Sequence, residues 1–339
     1  MTSSRRGRPP RHVVYEQFAA SVAELRAYGG LPAFDQADSL WQNLWHMEVH
    51  HSTAVEGNTL VLREVEALLN QGRAVGAKDL KDYMEVLGYA EASRWVFDQA
   101  GPHPTYSHDN LVTLTELRHL HTAAMTRVWD VAPHPLADAA EAPGGFRQHE
   151  IAAFPGGMKP PTFPLVPALI DAWISDADQF GQSVRHGTTI LADVPPGLAR
   201  LHAGYERIHP FLDGNGRTGR LVLNLMLTRL GLPPVVILAS QRRRYLNALI
   251  KADADDTGAL AEMLAQASIS SLHRLLPQLA AATDLVPLAA LADQRLSLPA
   301  LRQAVSRGRL EAVMDGQGTW RSSRQAVDAY WTSRQRRPR

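Results

Sequence analysis

Twelve residues in the second half of the chain, His209-Pro-Phe-Leu-Asp-Gly-Asn-Gly-Arg-Thr-Gly-Arg220, decide how the sequence is interpreted. They stand between a segment with helical periodicity, about 198–208, and the run Leu221-Val-Leu-Asn-Leu-Met-Leu227, which is apolar almost all round. A helix that is apolar on every side lies in the middle of a protein. The stretch therefore predicts a helix, a polar glycine-rich loop and a second, central helix.

The loop within this stretch has the composition of an anion-binding site. Backbone N–H groups of a glycine-rich loop, together with those at the positive dipole end of the next helix, attract phosphate. Gly214 and Gly216 allow the backbone to come close to such a ligand. Arg217 and Arg220 are three residues apart, so both lie on one helical face and can bind phosphate oxygens. The loop therefore predicts a phosphate-binding site.

Three more residues of the stretch carry separate tasks. Asp213 supplies a hard oxygen ligand of the kind that Mg²⁺ takes alongside phosphates. His209 belongs to the residue type whose unperturbed pKa, about 6.5, suits it to remove a proton from a hydroxyl near neutral pH. Phe211 stands between polar neighbours and is interpreted as an inward anchor of the loop. Together they predict phosphoryl chemistry with a single base.

Two other kinds of glycine-rich nucleotide site fit less well. Residues 214–219 match the dinucleotide fingerprint G-x-G-x-x-G, but that site needs a preceding strand and an acidic residue about 20 positions further on. The preceding segment is helical in pattern, and no Asp or Glu occurs between Leu221 and Ala252. The P-loop needs Lys-Ser or Lys-Thr after its last glycine, which this loop lacks. A plain interhelical turn with surface arginines would explain the glycines, but not the His, Asp, Asn and two Arg residues within the same twelve positions.

The stretch resembles the signature of the Fic family, H-x-F-x-D/E-G-N-G-R-x-x-R, and it fills every defined position. The surrounding pattern is similar from about residue 38 to residue 275. The resemblance implies an all-α core that transfers a nucleotide monophosphate, usually AMP from ATP, to a Ser, Thr or Tyr hydroxyl. Base recognition lies outside the signature, so UTP, GTP and CDP-choline stay open as alternatives to ATP.

The resemblance also implies a role for each signature residue. His209 is the general base and Asp213 binds Mg²⁺. Arg217 grips the β-phosphate side, and Arg220 reaches toward the γ-phosphate. The anion hole around the α- and β-phosphates is formed by Gly214, Asn215 and Gly216.

A second pattern lies at the end of a helix predicted over about 38–56. Ser52 and Glu56, in the string Ser52-Thr-Ala-Val-Glu-Gly57, are four residues apart and share a helical face, and Gly57 is a C-cap signal. The string resembles the inhibitory motif of Fic proteins, S/T-x-x-x-E-G/N. The resemblance implies that Glu56 pairs with Arg220 and keeps the γ-phosphate of ATP from seating productively. In some relatives the same glutamate helps to remove AMP, which leaves the direction of the reaction open.

Proline and glycine residues over 131–162 forbid a continuous helix. Within this range Ile151, Phe154 and Met158 flank a Pro-Gly-Gly turn, which predicts a short exposed β-hairpin over about 148–161. By resemblance this is the flap with which Fic proteins dock their target, because an exposed strand edge can pair with an extended segment. The alternative is a connecting loop. Beyond the flap, the periodicity predicts separate helices over about 164–180 and 184–191.

The C-terminal segment differs from the rest in charge. From Leu285 onward ten arginines face four acidic residues, a local excess of +6 (10 − 4). The pattern around 298–302 and 308–310 loosely resembles a small winged helix-turn-helix module. Residues 288–330 therefore become a candidate DNA-binding surface that works through phosphate contacts. A packing or dimerisation module with solvated arginines is the alternative.

The composition agrees with a globular protein. The chain has 339 residues, of which 45% are hydrophobic and 20% charged, which suits a sizeable core and excludes wholesale disorder. It has no cysteine, which excludes disulfide scaffolds, thiol nucleophiles and cysteine-ligated metals. Residues 1–12 are basic without an apolar region, and no stretch approaches about 18 consecutive apolar residues. A cytoplasmic protein without membrane contact is expected.

These observations predict an all-α, Fic-type helical core with a hairpin flap and a C-terminal winged helix-turn-helix-like module. The expected divisions are a basic tail and lead-in helix (1–35), N-terminal helices with the inhibitory motif (36–103), the catalytic core (104–282) and the module (283–339). The expected function is an autoinhibited protein adenylyltransferase that uses ATP and Mg²⁺ on a target protein or on itself. The alternatives are a DNA-binding regulator whose core senses nucleotide, and a Fic enzyme that removes AMP or uses another nucleotide. The resemblance also allows a homodimer.

Overall fold

The computed structural model describes residues 9–34, 38–100, 110–155, 158–283, 285–314 and 318–335. Helices make up most of these ranges, which confirms the predicted all-α class. They are α1 (Arg11–Ala27), α2 (Asp38–Val55), α3 (Leu62–Gln71), α4 (Leu80–Phe97), α5 (Leu114–Val131), α6 (Val166–Arg185), α7 (Val194–Ile208), α8 (Asn215–Arg229), α9 (Arg242–Asp253), α10 (Gly258–Thr283), α11 (Leu288–Leu291), α12 (Leu298–Ser306) and α13 (Arg324–Gln335). Three short strands are β1 (Val286–Pro287), β2 (Val313–Met314) and β3 (Trp320–Ser322). The first eight residues of the basic tail, and predicted boundaries that fall on 35–37 and 101–109, lie outside the described residues.

Helix α8 is central to its part of the chain. Its residues from Leu221 to Thr228 are all buried, and it packs against α2, α4, α5 and α7. Each leucine buried there contributes about 1.5–3 kcal/mol. A polar side chain inside such a helix needs partners, and Asn224 bonds both the backbone N–H and the carbonyl of Val235. The first turn of this firmly packed helix carries Arg217 and Arg220.

Backbone geometry fixes where the helices end around the twelve-residue stretch. α7 ends at Ile208 because His209 adopts the left-handed conformation, with φ 51° and ψ 62°. α8 begins directly after Gly214, whose φ is 77°. Gly57, just beyond the end of α2, has φ 103°, as its C-cap signal predicts. Positive φ comes easily to glycine but is strained for histidine, and such strain concentrates at functional sites.

One prediction about the helices is wrong. Instead of separate helices over about 164–180 and 184–191, α6 runs without a break to Arg185. Gly187, with φ 73°, follows its end, and residues 191–193 form a single 3-10 turn before α7. Gly181 lies inside α6, where an added Cβ would come within 3.2 Å of the Leu111 side chain. This glycine therefore allows close packing of the helix and does not interrupt it.

The segment predicted as a hairpin flap is a loop with one cross-link between its arms. The backbone N–H of Phe154 donates to the carbonyl of Met158 at 2.8 Å, and no strand is assigned in the described residues 148–155 and 158–161. Proline has no N–H to give to a ladder, and Pro155, Pro160 and Pro161 all lie in this segment. The arms therefore meet at the tip without forming a regular sheet.

The chain divides into two compact units, Met1–Leu272 and His273–Arg339. The second contains an antiparallel sheet with strand order β1-β3-β2, in which Val286 pairs with Ser322 and Met314 with Trp320. Its own core is built from Leu288, Leu291, Leu296, Leu301, Ala304, Val305, Leu310 and Val327. Residues 315–317 lie outside the described residues. Among the helices that the structure describes, none is both long and apolar enough to span a membrane.

Candidate active site

His209 sits at the end of α7 as a half-buried side chain with a defined tautomer. Its Nδ1 lies 3.2 Å from the carbonyl oxygen of Glu206. A carbonyl can only accept, so Nδ1 carries the proton and Nε2 keeps its lone pair. Burial lowers the pKa of His209 to about 4, although the Glu206 carbonyl opposes that shift. The imidazole is therefore neutral near pH 7, with Nε2 able to accept a proton.

The loop after His209 is closed by side chains packed beneath it. Asn215 bonds both polar groups of the Phe211 backbone, accepting from its N–H at 2.9 Å and donating to its carbonyl at 2.7 Å. The Phe211 ring is fully buried and stacks on His121 with ring centroids 3.6 Å apart. Phe211 thus packs inward, beneath the loop. The Asn215 side chain serves the loop itself, which leaves the backbone N–H groups at the start of α8 as the anion donors.

His121, on α5, supports the loop from below and was not predicted. Its Nε2 donates to the carbonyl of Asp213 at 2.9 Å, and its Nδ1 accepts from the N–H of Gly144 at 2.8 Å. Burial lowers its pKa to about 4, so it stays neutral and can hold both contacts. The sequence offered no signal for this role beyond the position of His121 on the buried face of an amphipathic helix.

Arg220 is buried and tied to the end of α2. Its Nη2 lies 2.8 Å from Oε1 of Glu56, its Nε donates to Oγ of Ser52 at 2.6 Å, and its Nη2 also donates to the Ser52 carbonyl at 2.9 Å. A Cβ added at Gly216 would lie 2.5 Å from the same Glu56 oxygen. The Glu56 carboxylate therefore lies against the first turn of α8, where the helix dipole and the N–H groups attract an anion.

The groups around Glu56 keep its carboxylate ionised. Burial raises the pKa of Glu56, but the positive charges of Arg220 and Arg217 outweigh burial and hold the pKa below its usual value. For Arg220 burial acts in the opposite direction, and the Glu56 carboxylate more than offsets it, so the pKa of Arg220 is raised. Both groups are thus ionised over the whole neutral range.

Arg217 lies between two carboxylates. Its Nη1 bonds Oε1 of Glu85, from α4, and its Nη2 lies 3.2 Å from Oδ1 of Asp213. Burial raises the pKa of Asp213, while the Arg217 charge and the N–H of Gly214 at 2.6 Å hold it below its usual value. The Asp213 side chain is still 46% exposed. An ionised, accessible carboxylate beside a phosphate site fits Mg²⁺, which takes one or two carboxylates together with substrate phosphates.

The flap is anchored by Arg147, another residue that the sequence did not single out. This arginine is fully buried, and its guanidinium donates to the carbonyls of His209 at 2.8 Å, His149 at 3.0 Å and Pro161 at 2.5 Å. It joins the base of the flap to the backbone of the histidine at the end of α7. Nothing in the local sequence distinguishes Arg147 from a surface arginine.

Of the three flap residues predicted to dock a target, Phe154 lies beside the site. Its ring centroid is 5.0 Å from that of His209, and 37% of the residue is exposed. Ile151 and Met158 are half-buried in the same loop. An extended chain lying along the flap would thus pass next to the imidazole.

Further contacts hold the turn after α2. Nε of Arg242 donates to the Val55 carbonyl at 2.6 Å, which places a cation at the negative end of the helix. Asn58 donates to Oε2 of Glu85 at 2.7 Å and to the Asp82 carbonyl at 2.9 Å. The position of Glu56 is therefore fixed from both sides of the turn.

Comparisons with known proteins agree with this geometry. Residues 111–227 match the model of the Fic/DOC family. Over 232 residues the chain is 28% identical to "Protein adenylyltransferase Fic" of Drosophila yakuba, a match that covers 67% of this chain and 41% of that protein. Over 281 residues it is 27% identical to the protein of the same name from Culex quinquefasciatus, covering 81% of this chain and 50% of that one. The chain thus spans half or less of the length of these curated relatives.

A solved structure shares the fold. Fic-1 (residues 134–508) from Caenorhabditis elegans superposes with a TM-score of 0.62 at 24% identity, covering 78% of this chain and 72% of that one. At this identity the likeness concerns the fold alone.

Proposed function

Because residues 111–227 match the model of the Fic/DOC family, we propose that this chain is a protein adenylyltransferase that moves AMP from ATP to a Ser, Thr or Tyr hydroxyl. The observation that carries the proposal is the neutral His209, with Nε2 able to accept a proton, beside a helix start that holds Arg217 and Arg220. A protein that only sensed nucleotide would not need a base at this position.

The reaction assigns one task to each group. Nε2 of His209 takes the proton of the target hydroxyl as its oxygen attacks the α-phosphorus of ATP. The bond from the α-phosphorus to the bridging oxygen breaks, and pyrophosphate leaves with the bond electrons. Backbone N–H groups at the start of α8 and the guanidinium of Arg217 stabilise the charge on the phosphates.

Asp213 would hold the metal ion, and Mg²⁺ when bound would neutralise charge on the leaving pyrophosphate. Phe154 would position the target segment that carries the hydroxyl, with Ile151 and Met158 shaping the rest of the flap surface. Main-chain pairing with the flap would make docking tolerant of target sequence.

We propose that Glu56 inhibits transfer by occupying Arg220. The carboxylate lies 2.8 Å from the guanidinium, and it meets the same helix start that would receive phosphate oxygens. Ser52 holds the other edge of Arg220, and Gly57 allows the turn that aims Glu56 inward. A γ-phosphate would have to displace the carboxylate before it could bind Arg220.

The test uses labelled ATP and the variant Glu56→Gly. The expected result is transfer of label to protein, including the chain itself, at a rate well above that of the wild type. The matched control is Glu56→Gly combined with His209→Ala, which should return the signal to background. If Glu56→Gly transfers no label to any protein in a mixture of potential targets, the transferase proposal is wrong.

The nucleotide and the direction of the reaction are separate questions. ATP with Mg²⁺ is the proposed donor, and competition of labelled ATP by excess GTP, UTP or CDP-choline tests the choice of base. Incubation of an AMP-modified target with the wild-type chain tests for removal of AMP. Faster loss of AMP with the wild type than with Glu56→Gly would favour removal as the activity.

A second function is proposed for the C-terminal unit. On α12 and the turn after it, Arg302, Arg307 and Arg309 are exposed, and their side chains have no bond or ion pair within the described residues. The charge excess favours DNA phosphates as the partner of residues 288–330.

Arg302→Glu combined with Arg309→Glu in the full chain should abolish salt-dependent retention on duplex DNA. Arg295→Gln should not, because the Arg295 guanidinium already pairs with Asp293. Absence of retention in the unmodified chain would contradict DNA binding and favour a packing role, and retention that survives the double change would contradict the assignment to these arginines. A homodimer and a cytoplasmic location stay predictions, to be checked by sedimentation and by microscopy of the tagged chain.

A further inference from the structure

Glu85 is a buried carboxylate that the proposed function leaves without a task. It lies in the second turn of α4, and its side chain is 8% exposed. Oε1 accepts from Nη1 of Arg217, and Oε2 accepts from Nδ2 of Asn58 at 2.7 Å. A buried charge is retained only where paired and hydrogen-bonded. The pair with Arg217 meets that condition.

The two carboxylates on Arg217 differ in their surroundings. Asp213 is 46% exposed, so it can turn toward a ligand on the solvent side. Glu85 is enclosed and cannot. When Asp213 bonds a metal ion, Glu85 therefore remains the one fixed acidic partner of the guanidinium among the described contacts.

One N–H donor of Arg217 has no acceptor among the described residues. Its Nε is buried and has no hydrogen-bond partner among the described residues. Buried donors are nearly always satisfied, and an arginine fork held at Nη1 presents its remaining N–H groups in a fixed plane. A phosphate oxygen that enters the site would supply the missing acceptor.

We propose that Glu85 is a positioning residue that fixes the guanidinium of Arg217 against the β-phosphate of the bound nucleotide. The inference rests on the proposed nucleotide site, but not on transfer itself. It assigns to α4 a part in nucleotide recognition, with Asn58 orienting the Glu85 carboxylate from the turn after α2.

The same helix offers a matched control. Arg229, at the other end of α8, pairs with Glu116 at 2.5 Å, and the two side chains are 4% and 10% exposed. Glu116→Gln therefore removes the acidic partner of a buried arginine on α8 without touching the loop that follows His209. It reports what the loss of such a pair does to folding alone.

The experiment measures binding of Mg²⁺–ADP and of AMP by calorimetry, using full-length chains that carry Glu56→Gly. ADP contains the β-phosphate and AMP does not. Adding Glu85→Gln should weaken ADP binding about tenfold, the loss expected when a charge-assisted contact is misplaced. AMP binding should stay within about twofold, because the α-phosphate does not depend on Arg217. Adding Glu116→Gln should change neither affinity.

A second variant covers the case in which Glu85→Gln does not fold. Asn58→Ala keeps both charges and removes the bond to Oε2, together with the bonds to the Asp82 carbonyl and from the Leu60 N–H. ADP binding should then weaken about threefold with AMP unchanged. Equal effects on ADP and AMP, or equal effects of Glu85→Gln and Glu116→Gln, would overturn the inference. If the Glu56→Gly parent binds neither nucleotide, the proposed function itself fails and this inference fails with it.

Discussion

His209 combines a strained backbone with a side chain of altered acidity. Its φ of 51° is rare for a residue with a Cβ, and the Arg147 bond to its carbonyl helps to hold that conformation. Burial keeps the imidazole neutral, with its pKa near 4. The neutral ring leaves Nε2 able to accept a proton, which the proposed role as a base requires.

Replacing His209 with alanine separates binding from chemistry. In the Glu56→Gly background, His209→Ala should retain ADP affinity within about threefold and lose transfer by about 10²–10⁴-fold, the usual contribution of a general base. Calorimetry and labelled transfer measure the two effects. Transfer at the parental rate would show that another group, or water, takes the proton.

The proposed inhibitory contact between Glu56 and Arg220 should be insensitive to pH in the neutral range. The pKa of Glu56 is held below its usual value because Arg220 and Arg217 outweigh burial. Its ionised form, and with it the ion pair to Arg220, therefore persists from pH 8 down to the acidic range and weakens only as Glu56 is protonated. The ratio of transfer rates between Glu56→Gly and wild type should stay constant between pH 6 and pH 8. A ratio that falls toward pH 6 would mean that protonation releases the contact.

At the scale of elements, Arg147 links the flap to the end of α7. One guanidinium reaches three carbonyls on two separate stretches of backbone. A lysine has a single ammonium group and cannot reproduce this planar arrangement. The shape of the flap thus depends on one side chain more than on strand pairing.

Arg147→Lys should therefore loosen the flap and destabilise the protein. We expect a loss of about 2–4 kcal/mol in the free energy of unfolding, because carbonyls that bonded a charged group become unsatisfied. Transfer to a protein target should fall more than ADP affinity. Arg118→Lys is the control, since this exposed arginine only covers the Phe146 ring at 4.6 Å and should cost less than about 1 kcal/mol. An Arg147→Lys protein as stable as that control would refute the anchoring role.

At the scale of the whole molecule, buried histidines and buried glutamates change the pH dependence of stability in opposite directions. Burial lowers the pKa of His121 and His209 to about 4 and that of His202 to about 3. Burial raises the pKa of Glu48 to about 7 and that of Glu206 to about 8. The three histidines bind fewer protons in the folded state than in the unfolded state, and the two glutamates bind more.

These opposite pKa shifts predict that the free energy of unfolding is largest near pH 6.5. Between about pH 4.5 and 6.5 the unfolded chain binds three histidine protons that the folded chain lacks, and the folded chain binds two glutamate protons that the unfolded chain lacks. The unfolded chain thus binds one proton more (3 − 2), so the free energy of unfolding rises by about 1.4 kcal/mol per pH unit. Above about pH 6.5 the histidine contribution is complete, and stability falls as the glutamates lose protons through pH 7 and 8. Thermal unfolding from pH 5 to 8.5 measures the curve. Glu206→Gln should flatten its alkaline side, and an unchanged slope there would show that Glu206 is already ionised.

The sequence by itself determined the helical class and the chemistry of the loop from His209 to Arg220. That information is local, because helix periodicity, glycine positions and the spacing of two arginines all lie within a few turns of chain. The pairing of Glu56 with Arg220 followed from family resemblance, and the structure brings the two groups within 2.8 Å.

Only the tertiary structure decided which side chains serve that loop from elsewhere. Glu85, His121 and Arg147 are 132, 92 and 62 residues away from their partners Arg217, Asp213 and His209. No periodicity relates such positions, since their contacts arise when α4, α5 and the flap pack around the buried α8. A buried charge must be paired wherever folding places its partner, and that partner can be recognised only after the helices have been packed.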